Sequence, residues 1–258
     1  MGRMLSKTSR QQAILEYLSQ HGETNVAGLA DRFHVSEMTI RRDLDELTEN
    51  HQLIRTHGGA APLGRVAFDF QFMEREGRHT EAKSAIATAA TDLVQPGMSI
   101  LLDSGTTTLA VARALRRVTG LTVITTSLPI ASELQYVPDI EVLLLGGRLR
   151  RESPDLIGPL TEYGLEKVCA DIAFIGAESV GPDGWVYSSS LEVARLLQHM
   201  IQMARQVYIV ADSSKTGRSA LARMGNLEDY SGFITDEGLS PTLQKTFKRK
   251  CDLVMAST

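Results

Sequence analysis

The chain has 258 residues, 43 % of them apolar and 5 % aromatic, with a formal net charge of −4. That length allows one or two domains, the apolar fraction argues against disorder, and the mildly acidic balance gives no overall pull on polyanions, so a nucleic-acid site has to be a local patch. There is no hydrophobic leader and no apolar run of the roughly 18 residues that a membrane span needs, and the two cysteines, Cys169 and Cys251, lack CxxC spacing. A soluble, cytoplasmic protein in a reducing compartment is therefore expected, with free thiols, no metal, no cofactor and no membrane partner.

In chain order, SRQQAILEYLSQHG predicts a helix with Ile14, Tyr17 and Leu18 on one face and Gly22 as its stop. VAGLADRF repeats the pattern with Val26, Leu29, Ala30 and Phe33. After a break at His34 and Val35, Ser36 is a good N-cap, and Glu37 suits the positive end of a helix dipole. Ile40, Leu44 and Leu47 then mark the buried face of a third helix. At about 100° per residue, Arg42 points about 160° from that stripe. Met38 also faces outward, Thr39 and Arg41 flank it, and Glu37 lies nearer the core edge. Three short helices with an exposed basic, hydroxyl-bearing front match a helix-turn-helix. LIRTHGGA adds a short strand and a Gly58-Gly59 turn, the pattern of a wing. The DNA-facing set is Ser36, Met38, Thr39, Arg41, Arg42, Arg55 and His57, with a structural role for His57 equally open. The winged helix-turn-helix is assigned to 1–57, an irregular linker to 58–74, and the remainder, 75–258, to a second domain.

From Glu81 the rhythm changes. SILLD, LTVITT, EVLLLGG, DIAFIGA, QVYIVAD and GFITD are short apolar runs that do not alternate, as expected of strands buried on both faces. Helix-compatible segments such as EAKSAIATAATDLV, TTLAVARALRRV and LEVARLLQHMIQMARQ separate several of them. The class is α/β with a mainly parallel sheet.

Four stretches could carry chemistry. Asp103, Ser104, Gly105, Thr106 and Thr107 link a strand to a helix, and free N–H groups with hydroxyls make a phosphate cradle there; an ordinary capped turn fits the same residues. Thr126 and Ser127 end the next strand, either facing the same crevice or simply capping a helix. Gly146 and Gly147 permit close backbone approach ahead of Arg148, Arg150 and Arg151, a cationic clamp or a solvated loop. Asp212 and Lys215 end a further strand, and Glu192 could meet sugar hydroxyls or lie solvated on its helix. There is no GxSxG, HExxH or GxxxxGK pattern.

Taken in order, VSEMTIRRDLDEL, HGGA, LLDSGTTTLAVARAL, LLLGG, DIAFIGA, ADSSKTG and FITD resemble the DeoR-type family of bacterial sugar-operon repressors over nearly the whole chain. The resemblance implies a sugar-phosphate-isomerase-like C-terminal fold that senses a phosphorylated sugar and oligomerises, as a dimer or tetramer, on double-stranded operator DNA. It implies that residues 103–107, Gly146, Gly147 and Lys215 line the effector pocket, and that Thr39, Arg41 and Arg42 meet DNA. The alternative is a sugar-phosphate isomerase or deaminase with an N-terminal extension.

Overall fold

The computed structural model of the protein describes residues 6–49, 52–56, 58–62, 72–150 and 153–257. The chain separates into two units, Met1–Met73 and Glu74–Thr258.

In the first unit, α1 (Lys7–His21) is capped by Ser6, whose Oγ accepts from the Ser9 amide at 3.2 Å, and ends where Gly22 takes φ 79°. A two-residue strand β1 (Thr24–Asn25) leads straight into α2 (Val26–Phe33), capped by the Asn25 side chain on the Gly28 amide at 2.7 Å. His34, at φ 53°, closes α2 in the left-handed region, where a non-glycine residue is uncommon. The next helix is α3 (Glu37–Glu49), followed by β2 (Leu53–Thr56) and β3 (Gly59–Pro62).

The expected linker starting at 58 is corrected here. Residues 59–62 form the second strand of the wing, paired antiparallel from Thr56↔Gly59 to Leu53↔Pro62. They also take β1 on their other side, so β3 is the middle strand of a three-stranded sheet. GGAAP lacks the β-branched residues that mark strands, yet its smallness is what the position needs. A Cβ on Gly59 would stand 2.2 Å from the carbonyl oxygen of Thr24. Pro62 lies beyond the pairing with β1, which covers only Gly59 and Ala60, so that side of the strand is an edge there and a missing N–H is tolerated.

Ile14, Leu18, Val26, Leu29, Ile40, Leu44, Leu47 and Leu53 form the core of this unit, with the stripe on α3 buried as its spacing requires. One charge joins them. Asp43 is 2 % exposed and receives a forked pair of bonds from Arg10, Nε to Oδ2 at 2.5 Å and a terminal nitrogen to Oδ1 at 3.1 Å. Bidentate pairs of this kind fix geometry as well as charge, and this one ties α1 to α3.

The second unit is built on a seven-stranded sheet in the order β15-β14-β12-β9-β4-β5-β6, parallel throughout. Its strands are β4 (Ser99–Leu102), β5 (Leu121–Thr125), β6 (Ile140–Leu144), β9 (Ala170–Gly176), β12 (Ala204–Val210), β14 (Gly232–Asp236) and β15 (Asp252–Ala256). The expected apolar runs form six of them; β15 is additional. Its helices are α4 (Thr80–Thr91), α5 (Thr106–Leu115), α6 (Leu128–Leu134), α7 (Pro159–Leu165), α8 (Leu191–Gln202) and α9 (Pro241–Phe247). The helical reading of LEVARLLQHMIQMARQ runs too far, because α8 ends at Gln202 and β12 begins at Ala204. A β7 (Arg148–Leu149) and β8 (Leu156–Ile157) hairpin and a small antiparallel sheet of β10 (Ser179–Val180), β11 (Trp185–Ser188) and β13 (Ala222–Asn226) complete it.

The strand order creates an opening in the second unit. The chain starts at β4, moves outward through β5 and β6, then returns to lay β9, β12, β14 and β15 on the other side. The loops after β4 and β9 therefore diverge and leave a crevice at the carboxyl ends of the strands, where ligands of open α/β sheets bind.

Asp43→Ala should strip the half-buried guanidinium of Arg10 of its counter-charge and destabilise the first unit by about 2 kcal/mol, as for a lost hydrogen bond to a charged group. Denaturant unfolding of the full chain, followed by amide exchange in α1 and α3, measures this.

Candidate functional site

The front of α3 is built as its spacing implies. Ser36 Oγ accepts from the Thr39 amide at 3.2 Å and lies 2.9 Å from the Thr39 hydroxyl, so both groups sit at the helix start. Met38 is 59 % exposed, a large apolar side chain with no core to enter. Arg42 is exposed and makes no ion pair among the described residues. Arg41 pairs with Glu37 one turn back, at 3.2 Å, on the exposed surface; Glu37 is thus itself exposed, and not at the core edge. Arg55, on the wing strand, is half-buried and lies 3.5 Å from Asp45. His57 falls outside the described residues.

In the second unit, a cavity of about 380 Å³ opens at the carboxyl ends of β4, β9 and β12. Its wall carries six lysine and arginine side chains, Arg75, Arg78, Lys83, Arg150, Lys215 and Arg218, against three carboxylates, Asp103, Glu178 and Asp212. Gly105, Thr106 and Thr107 bring the N-terminus of α5 into the wall. Gly105 is the N-cap of that helix and supplies no side-chain cap, so the first amides keep their donor capacity and the helix dipole points at the cavity.

Below this helix start lies a chain of polar groups. Asp103 Oδ1 accepts from the Ser104 amide at 2.5 Å, and Oδ2 accepts from the Gly176 amide at 3.0 Å, which joins β4 to β9 across the crevice. The Ser104 hydroxyl donates to Asp155 at 3.0 Å, and Arg150 holds Asp155 at 2.9 Å. Asp155 is 1 % exposed. On the β12 side, Asp212 is buried and accepts from the Ser214 amide at 3.1 Å, while Lys215 stands 3.9 Å from Glu178. Lys83, reaching in from the first turn of α4, is 6 % exposed.

Of the residues singled out from sequence, Asp103, Ser104, Gly105, Thr106, Thr107, Arg150, Asp212 and Lys215 meet in this wall. Thr126, Ser127, Gly146, Gly147 and Glu192 do not. Thr126 is buried, its hydroxyl without a hydrogen bond among the described residues. Ser127 accepts from the Ile130 amide at 3.4 Å and so caps α6. Gly147 is needed for packing: a Cβ there would stand 2.1 Å from the Thr161 hydroxyl. The adjacent Gly146 offers its carbonyl to that same hydroxyl at 2.8 Å. Glu192 is exposed at the start of α8 and pairs with Arg148 at 2.7 Å. Lys83, Arg75 and Arg78 escape the sequence reading. The signal available is an isolated lysine in the alanine-rich run EAKSAIATAA, and a charge buried at a helix start invites the question of what it holds.

Comparison with known proteins agrees in both halves. The model of the DeoR-like helix-turn-helix domain matches residues 10–64, and that of the DeoR C terminal sensor domain matches residues 78–237. The HTH-type transcriptional regulator GlpR of Haloferax volcanii is 35 % identical over 88 % of this chain and 89 % of its own length. The glycerol-3-phosphate regulon repressor of Escherichia coli K12 is 32 % identical over 90 % of this chain and 92 % of its own. The transcriptional repressor AccR of Agrobacterium fabrum is 33 % identical over 95 % of each chain. Ribose 5-phosphate isomerase A of Methanocaldococcus jannaschii superposes with a TM-score of 0.39 at 21 % identity, over 53 % of this chain and 54 % of that one.

Asp103 gives the cavity a titratable floor. Burial pushes its carboxyl up to about 6, opposed by the Ser104 amide, raised further by the charge of Asp155, and opposed again by the Gly176 amide and Arg150. Between about pH 4 and about pH 6 the folded chain keeps a proton that the unfolded chain has lost. Stability therefore falls as pH rises through that window, by roughly 3 kcal/mol for this group. Asp103→Asn should remove that slope on top of a pH-independent offset from the lost second acceptor oxygen. Denaturant midpoints of wild type and variant at about pH 4 and about pH 7 test it: the difference between the two proteins should move in favour of the variant as pH rises.

Proposed function

Starting from the premise that this chain belongs to the DeoR family of helix-turn-helix transcriptional regulators, we propose that it is a repressor of a carbohydrate-utilisation operon that a phosphorylated sugar releases from its operator. The chain is a DNA-binding regulator, with a DNA-reading unit and a sensor unit. One observation carries the effector reading: a cavity at the sheet's switch point combines an uncapped helix start with an excess of cations. Phosphate is the common metabolite group whose charge and oxygen acceptors suit both. One relative's name joins repression to glycerol 3-phosphate, which fits a phosphorylated polyol or sugar here. In this reading the phosphate lies on the amides of Thr106 and Thr107, and the hydroxyl-bearing end meets Asp103, Asp212 and Lys215.

The reading head is α3. Its front enters the major groove, with Arg42 on a guanine edge or the phosphates and Thr39 on a base or phosphate. Arg55 of the wing tracks the backbone. Residues 1–57 hold seven Lys and Arg against eight Asp and Glu, so one copy has little electrostatic grip on DNA. Operator affinity then comes from two or more heads on one assembly, spaced about one helical turn apart. Among the described residues no helix is long and apolar enough to cross a membrane, in keeping with a cytoplasmic regulator.

Two measurements test this. Sequencing the genomic fragments retained by the protein, with and without a panel of phosphorylated sugars, should yield a repeated half-site that is lost with one of them; retention unaffected by the whole panel refutes the effector reading. Arg42→Ala should weaken operator binding by roughly 1–3 kcal/mol in a fluorescence anisotropy titration and leave the unfolding midpoint unchanged. Wild-type affinity would remove Arg42 from the interface.

A further inference from the structure

Lys83 is a cation of the cavity wall whose ammonium is spent on neutral backbone. It donates to the carbonyl oxygens of Arg75 and of Arg78, the latter at 2.6 Å, and lies 3.4 Å from that of Glu76. Those carbonyls lie at and just beyond the end of the helical turn at 74–77, where the last carbonyls have no partner within the helix. His79, at φ 52°, reverses the chain into α4 without a side-chain cap, and this reversal brings the first turn of α4 back over the carbonyls. The lysine is thus a C-terminal clamp reaching from α4 onto residues 75–78.

Three features set this clamp apart from an ordinary cap. Lys83 is 6 % exposed and lines the cavity. Burial draws its ammonium below the usual lysine range, with the charge of Asp212 opposing that and the charge of Lys215 reinforcing it. The residues it grips include Arg75 and Arg78, which also line the cavity, Arg78 with its guanidinium held by Glu74. Residues 74–78 are also the first of the second unit, the point at which the chain from the DNA-reading unit arrives.

We propose that Lys83 is a positioning residue with two competing partners, the carbonyls of residues 75–78 and an anion in the cavity, so that occupancy loosens the entry segment of the sensor unit. An ammonium has three donors. An anion adds a full counter-charge to the bond, an attraction that a neutral carbonyl lacks. A phosphate on the start of α5 therefore draws the ammonium inward and frees the carbonyls it held. The arginines at 75 and 78, carried on the loosened segment, turn to the same anion. The strain passes along the covalent chain toward the DNA-reading unit, with no rigid contact between units required. This rests on the cavity's being the anion site of the proposed effector.

Hydrogen–deuterium exchange of the full-length protein, with and without inorganic phosphate or glycerol 3-phosphate, separates the two ideas. Slower exchange at residues 105–109 reports anion binding at the helix start; its absence with both probes sinks the anion-site reading and the clamp with it. With that protection present, the clamp requires amides 75–79 to exchange at least about fivefold faster, the lower end of ordinary allosteric coupling. Protection at 105–109 with 75–79 unchanged or slowed overturns the clamp alone. Lys83→Met, which keeps the stem and removes the donors, should show fast exchange at 75–79 before any anion is added, with no further rise, and should need more anion than wild type to protect 105–109. A Met variant that responds as wild type does also overturns the proposal. The wild-type comparison decides by itself if the variant fails to fold.

Discussion

The second unit depends on a set of backbone donors that its own side chains leave unsatisfied. Gly105 starts α5 without a side-chain cap, at the place where the sheet's connections part to either side of β4. The chain caps α6, α8 and α9 with serine and leaves α4, α5 and α7 without a side-chain cap. At α5 it withholds the cap and surrounds the bare amides with cations. Asp103 balances this arrangement. Its carboxylate spans β4 and β9 through two amide bonds, at the cost of holding a carboxyl in a place that disfavours its charge.

The DNA-reading unit solves a different electrostatic problem. Its acidic residues outnumber its basic ones, so placement decides what DNA meets. Asp43 is turned inward and neutralised by Arg10, and Glu46 is engaged by Lys7 at 2.6 Å and Gln11 at 3.0 Å. Those carboxylates are taken up by partners on α1, while Arg42, one turn before Glu46, stands exposed on the side opposite the apolar stripe of α3. A charge balance near zero thus coexists with a one-sided head. In the proposed function, affinity rests on copy number and not on a basic patch, so that the assembly would be the unit that responds to salt and to effector.

Much of this could be read in the sequence, and the failures have physical causes. The three helices of the head, their caps and the apolar stripe of α3 follow from 3.6-residue periodicity and polar N-caps. Six sheet strands follow from apolar runs. The wing's second strand was lost because GGAAP is selected for smallness against Thr24, and smallness imitates a loop. Asp43 was missed because its partner lies 33 residues away, beyond any local pattern. For the cavity, the turn at 103–107 and the pair Asp212 and Lys215 were legible from strand-end chemistry. Gly146, Gly147 and Ser127 share that chemistry yet serve packing and capping, since sequence does not say which strand ends converge. Lys83 was silent because its meaning lies in three carbonyls that only the fold brings to it.

Gly59 carries a last consequence. With no side chain, β3 lies close against β1, and the Gly58 carbonyl accepts from the Val26 amide at 2.9 Å. The hairpin is thereby welded to the entrance of α2, while β2 packs on α3 at its other margin. Wing and recognition helix are thus both fastened to the core of the head, the hairpin through β1 and α2 and the helix through β2. In the proposed mode of reading, differences in groove width from one operator to the next would be met by bending the duplex, and the stiffness of the DNA would count beside its bases.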